Sequence, residues 1–226
     1  MENTHNSPME PHTDIISANN RLYKYALALA IFTISYNIIE GLVSIWFGYA
    51  DESLALLGFG IDSIVEVISG IGITHMIIRI WNHPESDRDD FERVALRITG
   101  ISFYLLTLGL AASALFNIVT GHKPETTFWG VIISLISIFI MLLLATGKIR
   151  IGNRLKSEAI LADAECTKVC IYMSVILLVS SGIFELTGFR YIDSIGTLGL
   201  AYFSFTEGRE CFIKIKNKLN NPLVQN

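Results

Sequence analysis

Four side chains carry the chemistry that this sequence can be expected to do: Asp62 with Glu66, and Cys166 with Cys170. Each pair is spaced i, i+4, which sets two side chains one turn apart on the same face of a helix. Asp163 extends the cysteine stripe, at i, i+3 and i+7. Two carboxylates and two thiols meeting as a set of four suit Zn²⁺ and its neighbours Cd²⁺ and Co²⁺, with Asp163 in reserve if one thiol only packs. Taken alone, the cysteines also read as small inert packing residues. The acids also read as neutral groups hydrogen-bonded inside a bundle.

The elements that position these residues are apolar helices. Of 226 residues 51% are hydrophobic and 17% charged, against roughly 25% charged in an average soluble domain. That is too little charge for the surface of a soluble enzyme. The net charge of −4 excludes a nucleic-acid binder, which needs an excess of Lys and Arg, and three cysteines do not make a disulfide framework. Crossing a bilayer takes about 20 apolar residues. Six stretches reach that length, roughly 23–47, 53–80, 93–119, 127–147, 158–183 and 191–213, and their continuity excludes barrel strands. The expected fold is an all-α integral membrane protein with six transmembrane helices. Asp51 and Ser53 are expected to cap the second span, and Asp193 or Ser194 the sixth.

Basic residues orient the spans. One side collects Arg21, Lys24, Arg79, Arg88, Arg93, Arg97, Lys148, Arg150, Arg154, Lys156, Arg209, Lys214, Lys216 and Lys218; the other holds Lys123 and Arg190. Both termini are therefore expected in the cytoplasm, with a bacterial cytoplasmic membrane as the default. Residues 1–20, with Pro8 and Pro11, read as a disordered cytoplasmic tail without a signal peptide. His5 and His12 in it could collect metal, though a solvated arm is the simpler account. Residues 21–215 form the six-span domain and 216–226 a short cytoplasmic tail.

An ionisable residue at the bilayer centre costs about 2.5–3.5 kcal/mol, so those inside spans are functional or paired. Spans three and four read as free of them. Span two holds Asp62 and Glu66; span five holds Asp163, Glu165 and Lys168; span one holds Glu40, with Asn37 and Thr33 on one stripe. The pairs Asp62–Glu66 and Cys166–Cys170 begin about nine residues, roughly 13 Å, into their spans, near the midplane. Glu165 and Lys168 are expected to pair on the opposite face of their helix. Glu40 could relay protons or merely hydrogen-bond a neighbouring helix. The acidic loop from His83 to Glu92 could recruit metal; a solvated turn that caps the third helix explains it more simply. A shift of 104 residues lays Ser53–Leu57 on Ser157–Leu161, Asp62 on Cys166 and Glu66 on Cys170. Spans two and five run in opposite directions, so this is the pattern of an inverted repeat with binding residues at its interface.

On these residues, Ser53-Leu-Ala-Leu-Leu-Gly-Phe-Gly-Ile-Asp62-Ser-Ile-Val-Glu66 resembles the second-span signature of the cation diffusion facilitator (cation efflux) family. Ser157-Glu-Ala-Ile-Leu-Ala-Asp163-Ala-Glu-Cys166-Thr-Lys-Val-Cys170 is similar to its fifth-span counterpart. The resemblance covers residues from about 20 to 215. It implies export of Zn²⁺ or a related divalent cation from the cytoplasm by proton antiport, no enzymatic activity, and a homodimer. It also implies that spans one, two, four and five bundle around the metal, with three and six beside them. Family sites usually read His-x-x-x-Asp or Asp-x-x-x-Asp; here the same positions read Asp-x-x-x-Glu and Cys-x-x-x-Cys, a set that favours softer ions. The loop from Gly147 to Lys156 has no histidine, and the cytoplasmic domain that most members carry after the sixth span is not in this chain. The expected partners are a metal cation, protons and the lipid bilayer, with no resident cofactor. Two rival readings stand beside the carrier: a membrane thiol oxidoreductase cycling Cys166 and Cys170, and a non-transporting membrane partner protein that keeps the fold.

Overall fold

The computed structural model describes residues 11–50, 54–82, 88–121, 128–188 and 191–220. They form six helices: α1 (Pro11–Ala50), α2 (Leu54–Asn82), α3 (Arg88–Thr120), α4 (Phe128–Leu155), α5 (Glu158–Thr187) and α6 (Ile192–Asn220). Helix is the outcome expected for long apolar runs, because it satisfies every backbone N–H and C=O within the segment. Four of the helices contain stretches long and apolar enough to cross a membrane: Asn20–Ala50, Gly58–Asn82, Asp89–Thr120 and Trp129–Leu155. Among the described residues α5 and α6 supply no such stretch. In α6 the charges Glu207, Arg209, Glu210 and Lys214 interrupt the apolar run.

The polarity of the bundle is inverted relative to a soluble protein. Leu42, Trp46, Leu108, Phe139 and Tyr202 face outward, Trp46 with 74% of its surface exposed, while Thr33, Asn37, Glu40, Asp62, Glu66, Asp163 and Thr167 are buried. A surface of this kind is stable only against lipid. The chain is a multi-pass integral membrane protein.

α1, α2, α5 and α4 close a ring through the contacts α1–α2, α2–α5, α4–α5 and α1–α4, and α3 and α6 pair beside it against α2 and α5. This is the arrangement that the family resemblance implies. Small residues let the helices approach. A Cβ on Gly60 would lie 2.6 Å from Cγ1 of Ile45, and one on Gly100 would lie 2.9 Å from the Phe212 ring. The α3–α6 pair adds stacked Tyr104 and Phe212 rings and a hydrogen bond from Ser204 Oγ to the Phe103 carbonyl at 3.1 Å.

α4 and α5 are joined by Lys156 and Ser157 alone. Lys156 takes a left-handed φ of 50°, the Ser157 N–H bonds the Gly152 carbonyl at 2.9 Å, and the Ile160 N–H donates to Ser157 Oγ at 3.4 Å. The end of the bundle that holds this turn also holds the start of α3 and the end of α6. There Glu92 accepts the Ala159 N–H at 3.3 Å and the Lys218 ammonium at 3.0 Å, tying three helices together. Asp89 and Asp90 lie in the first turn of α3, as its acidic start suggests.

Several expectations change. α1 begins at Pro11, so residues 11–20 are helical rather than part of a disordered arm; proline is tolerated there because the first turn has no partner for its missing N–H. α6 likewise continues through residues 216–220 of the expected tail. α6 starts at Ile192, with Ile195 N–H bonding the Tyr191 carbonyl at 3.0 Å, so Asp193 and Ser194 sit inside its first turn instead of ahead of it. Asp51, Ser53, His5 and the loop segment 83–87 lie outside the described residues, as does the side chain of His12.

Candidate functional site

Asp62 and Glu66 project from α2 towards α5, because the stripe that carries them alternates with Phe59, Val65 and Ile73 on the buried side of the helix. Cys166 and Cys170 project from α5 in return, flanked by buried Ala162 and Val169. The two stripes meet: the Cys170 thiol donates to Oδ2 of Asp62 at 2.7 Å. That contact commits Cys170 to α2 and not to its helical neighbour, and both thiols are free.

One turn towards the α4–α5 turn lie Glu66 and Cys166, 1% and 0% exposed. Neither Glu66 oxygen has a hydrogen-bond partner, nor does Oδ1 of Asp62 or Oδ1 of Asn37. An ionised carboxylate buried without a partner is costly. The bundle therefore presents acceptor oxygens at mid-depth that a cation would satisfy. Among the described residues no three His, Cys, Asp or Glu side chains stand together as a metal-holding group. The four expected ligands form two layers, not one coordination sphere.

Asp163 is held elsewhere. Its Oδ2 pairs with the Lys148 ammonium at 2.8 Å and its Oδ1 accepts from Ser69 at 2.7 Å; Ser69 in turn shares a 3.1 Å hydrogen bond with Thr99. Lys148 also donates to Thr167 at 2.8 Å and lies within electrostatic reach of Glu66. By composition Lys148 belongs with the loop cations and span four is free of ionisable residues; α4 in fact continues to Leu155 and Lys148 is buried, 2% exposed. A signal was present: Met141, Leu144, Lys148, Ile151 and Leu155 recur at 3 and 4 residues, the period of one buried helix face.

Glu40, 6% exposed, accepts hydrogen bonds from Tyr36 at 2.9 Å and from Ser63 at 3.2 Å. This joins α1 to α2 one residue from Asp62. Lys168 pairs with Glu165 at 2.6 Å on the half-exposed side of α5, as expected, away from the thiols.

A family model for the cation efflux transmembrane domain matches residues 30–217, from within α1 to the last turn of α6. The chain belongs to the cation efflux family. Members are membrane transporters and not enzymes. A curated relative, the uncharacterized transporter MJ0449 of Methanocaldococcus jannaschii, is 26% identical over 176 residues, which is 76% of this chain and 62% of that protein. The chain thus spans less than two thirds of that relative's length.

Proposed function

We propose that this cation efflux protein exports a divalent cation, Zn²⁺ foremost, from the cytoplasm, with protons moving the other way. The reading takes all six helices as spans, with residues 21–215 as the transmembrane unit, α2 and α5 as inverted counterparts, and both termini in the cytoplasm of a bacterial cell. Asp62, Glu66, Cys166 and Cys170 are its ligands. The observation that carries it is the meeting of the two stripes at mid-depth, where Cys170 bonds Asp62 above a buried Glu66 with two unpartnered oxygens.

Charge supports a divalent ion. Lys148 neutralises Asp163, which leaves two carboxylates, Asp62 and Glu66, to balance a charge of 2+ while the thiols stay neutral or give up protons as metal binds. Asp163 joins the ligand set only if its pair with Lys148 opens. Glu40 is the proton relay of this scheme, a reading its hydrogen bonds to Tyr36 and Ser63 support by joining α1 to α2. A second copy of the chain would pack through the apolar outer faces.

The test is flux in liposomes under an imposed proton gradient, with Zn²⁺, Cd²⁺ and Co²⁺ offered in turn. Wild type should move at least one of them, and Asp62→Asn and the Cys166→Ala, Cys170→Ala double variant should not. Wild-type liposomes that move no ion overturn the carrier reading and leave the thiol-redox and partner roles. Loss with Asp62→Asn alone demotes the thiols to packing.

A further inference from the structure

Along α5 the Lys148–Asp163 pair lies between the α4–α5 turn and the candidate ligands. On α5 the order from the α4–α5 turn is Asp163, Cys166, Cys170; on α2 the matching order is Ser69, Glu66, Asp62. Lys148, Asp163, Ser69 and Thr99 thus form a layer one turn nearer that turn than Glu66 and Cys166, and the Lys148 ammonium reaches past Asp163 to Thr167 at the Cys166 level. The layer draws on α2, α3, α4 and α5, and all four of its residues are buried.

The space on its two sides is unequal. A cavity of about 550 Å³ runs from Asp62 and Val65 towards Gly58, Phe116, Asn117 and Thr197 near the opposite end of the bundle. Against Lys148 and Asp163 themselves, between Ala30, Ile73, Ile151 and Ile160, the bundle leaves about 10 Å³, room for one water at most. By volume the first space admits a hydrated cation and the second does not; the first touches Asp62 alone of the four candidate ligands and is otherwise lined mainly by apolar side chains such as Leu105, Leu110, Met173 and Leu200.

We propose that Lys148 and Asp163 form the cytoplasmic gate of the cation path, closed in this structure, so that the site faces the far side of the membrane. The inference rests on the carrier reading and on the α4–α5 turn being cytoplasmic. Lys148 occupies Asp163 as a tethered counter-charge. For an ion to enter from the cytoplasm, the ammonium must withdraw, and the arriving cation takes its place beside Asp163. The exchange keeps this buried carboxylate paired throughout, which avoids the cost of an isolated charge. Lys148 is a positioning residue in this scheme and touches no expected ligand other than Asp163.

Sided thiol labelling tests it. In a Cys211→Ala background Cys166 and Cys170 are the reporters, and a small membrane-impermeant methanethiosulfonate is applied to inside-out and right-side-out vesicles. The parent should react faster from the far side. Neutralising the gate with Lys148→Met and Asp163→Asn together, which removes both charges of the pair, should raise the cytoplasmic rate about tenfold, as a shift in the open population, with the far-side rate unchanged. Lys148→Arg should stay at the parent rate. A cytoplasmic rate that does not rise, a rise equal on both sides, or one confined to the far side overturns the gate. Labelling needs no transported ion, so the gate can fail while liposome flux stands, and flux can fail while the gate stands.

Discussion

Replacing Cys170 separates a thiol that packs from a thiol that binds metal. In the structure its Sγ–H is the hydrogen-bond donor to Oδ2 of a carboxylate that is 3% exposed, and Oδ1 of that carboxylate has no partner. Cys170→Ala leaves both Asp62 oxygens without a donor, a cost of about 1–3 kcal/mol to the metal-free protein. Cys170→Ser restores an O–H donor of nearly the same reach, so the metal-free variant should recover to within about 1 kcal/mol of wild type. Metal affinity should behave differently. A hydroxyl does not replace a thiolate for a soft ion, so Cys170→Ser should lose about 10–100-fold in Cd²⁺ affinity, the range seen when even a supporting partner of a metal ligand is lost, with a smaller loss for Zn²⁺. The assay pairs denaturant unfolding of the purified protein in detergent with competition binding of the two metals. A serine variant that is as stable as wild type and keeps its Cd²⁺ to Zn²⁺ ratio would falsify ligation by Cys170.

Other outcomes follow from the same structure. Lys148→Met should destabilise the protein by about 3–5 kcal/mol by stranding the Asp163 charge, and adding Asp163→Asn should recover most of that loss in a double-mutant cycle. Gly60→Leu should cost about 1–3 kcal/mol through overpacking against Ile45, read as a lower unfolding midpoint. Burial alone would lower the Lys218 ammonium, but Asp89 and Glu92 outweigh it and hold this group above the usual lysine value. Its folded state therefore favours the proton, so the anchorage of the α6 end is full below that usual value, about 10.4, and is lost as pH rises through the raised one. Protection factors at residues 214–220, taken relative to the intrinsic base-catalysed exchange rate, should then fall in strong base in wild type, with little further change in Lys218→Met.

Much of the architecture was legible because lipid imposes length and apolarity directly: six runs of about 20 residues became six helices. Glu165 and Lys168 paired as their i, i+3 spacing predicts. Misplacing Lys148 had a physical cause. Gly147-Lys148-Ile149-Arg150 has the composition of a span end, and composition averages over faces. Only the 3–4 spacing from Met141 to Leu155 reports that one face stays in the bundle while Arg150 and Arg154 leave it. The Asp163 partnership was illegible for a related reason: Ser69 and Thr99 are unremarkable hydroxyls on other helices, and only packing brings them within reach. Glu40 was found on its stripe, but its attachment to Tyr36 and Ser63 needed the register of α1 against α2.

The two-residue junction between α4 and α5 makes these helices a lever. With Lys156 as the fulcrum, Cys166 lies about 15 Å and Cys170 about 21 Å along the arm at 1.5 Å per residue. A swing of roughly 10° would carry the first thiol about 2.6 Å and the second about 3.7 Å on that arm. Displacements of that size exceed a Zn–S bond of about 2.3 Å. On the proposed ligand set, a small tilt of one hairpin would draw the two layers together or apart by about a bond length, without unwinding any helix.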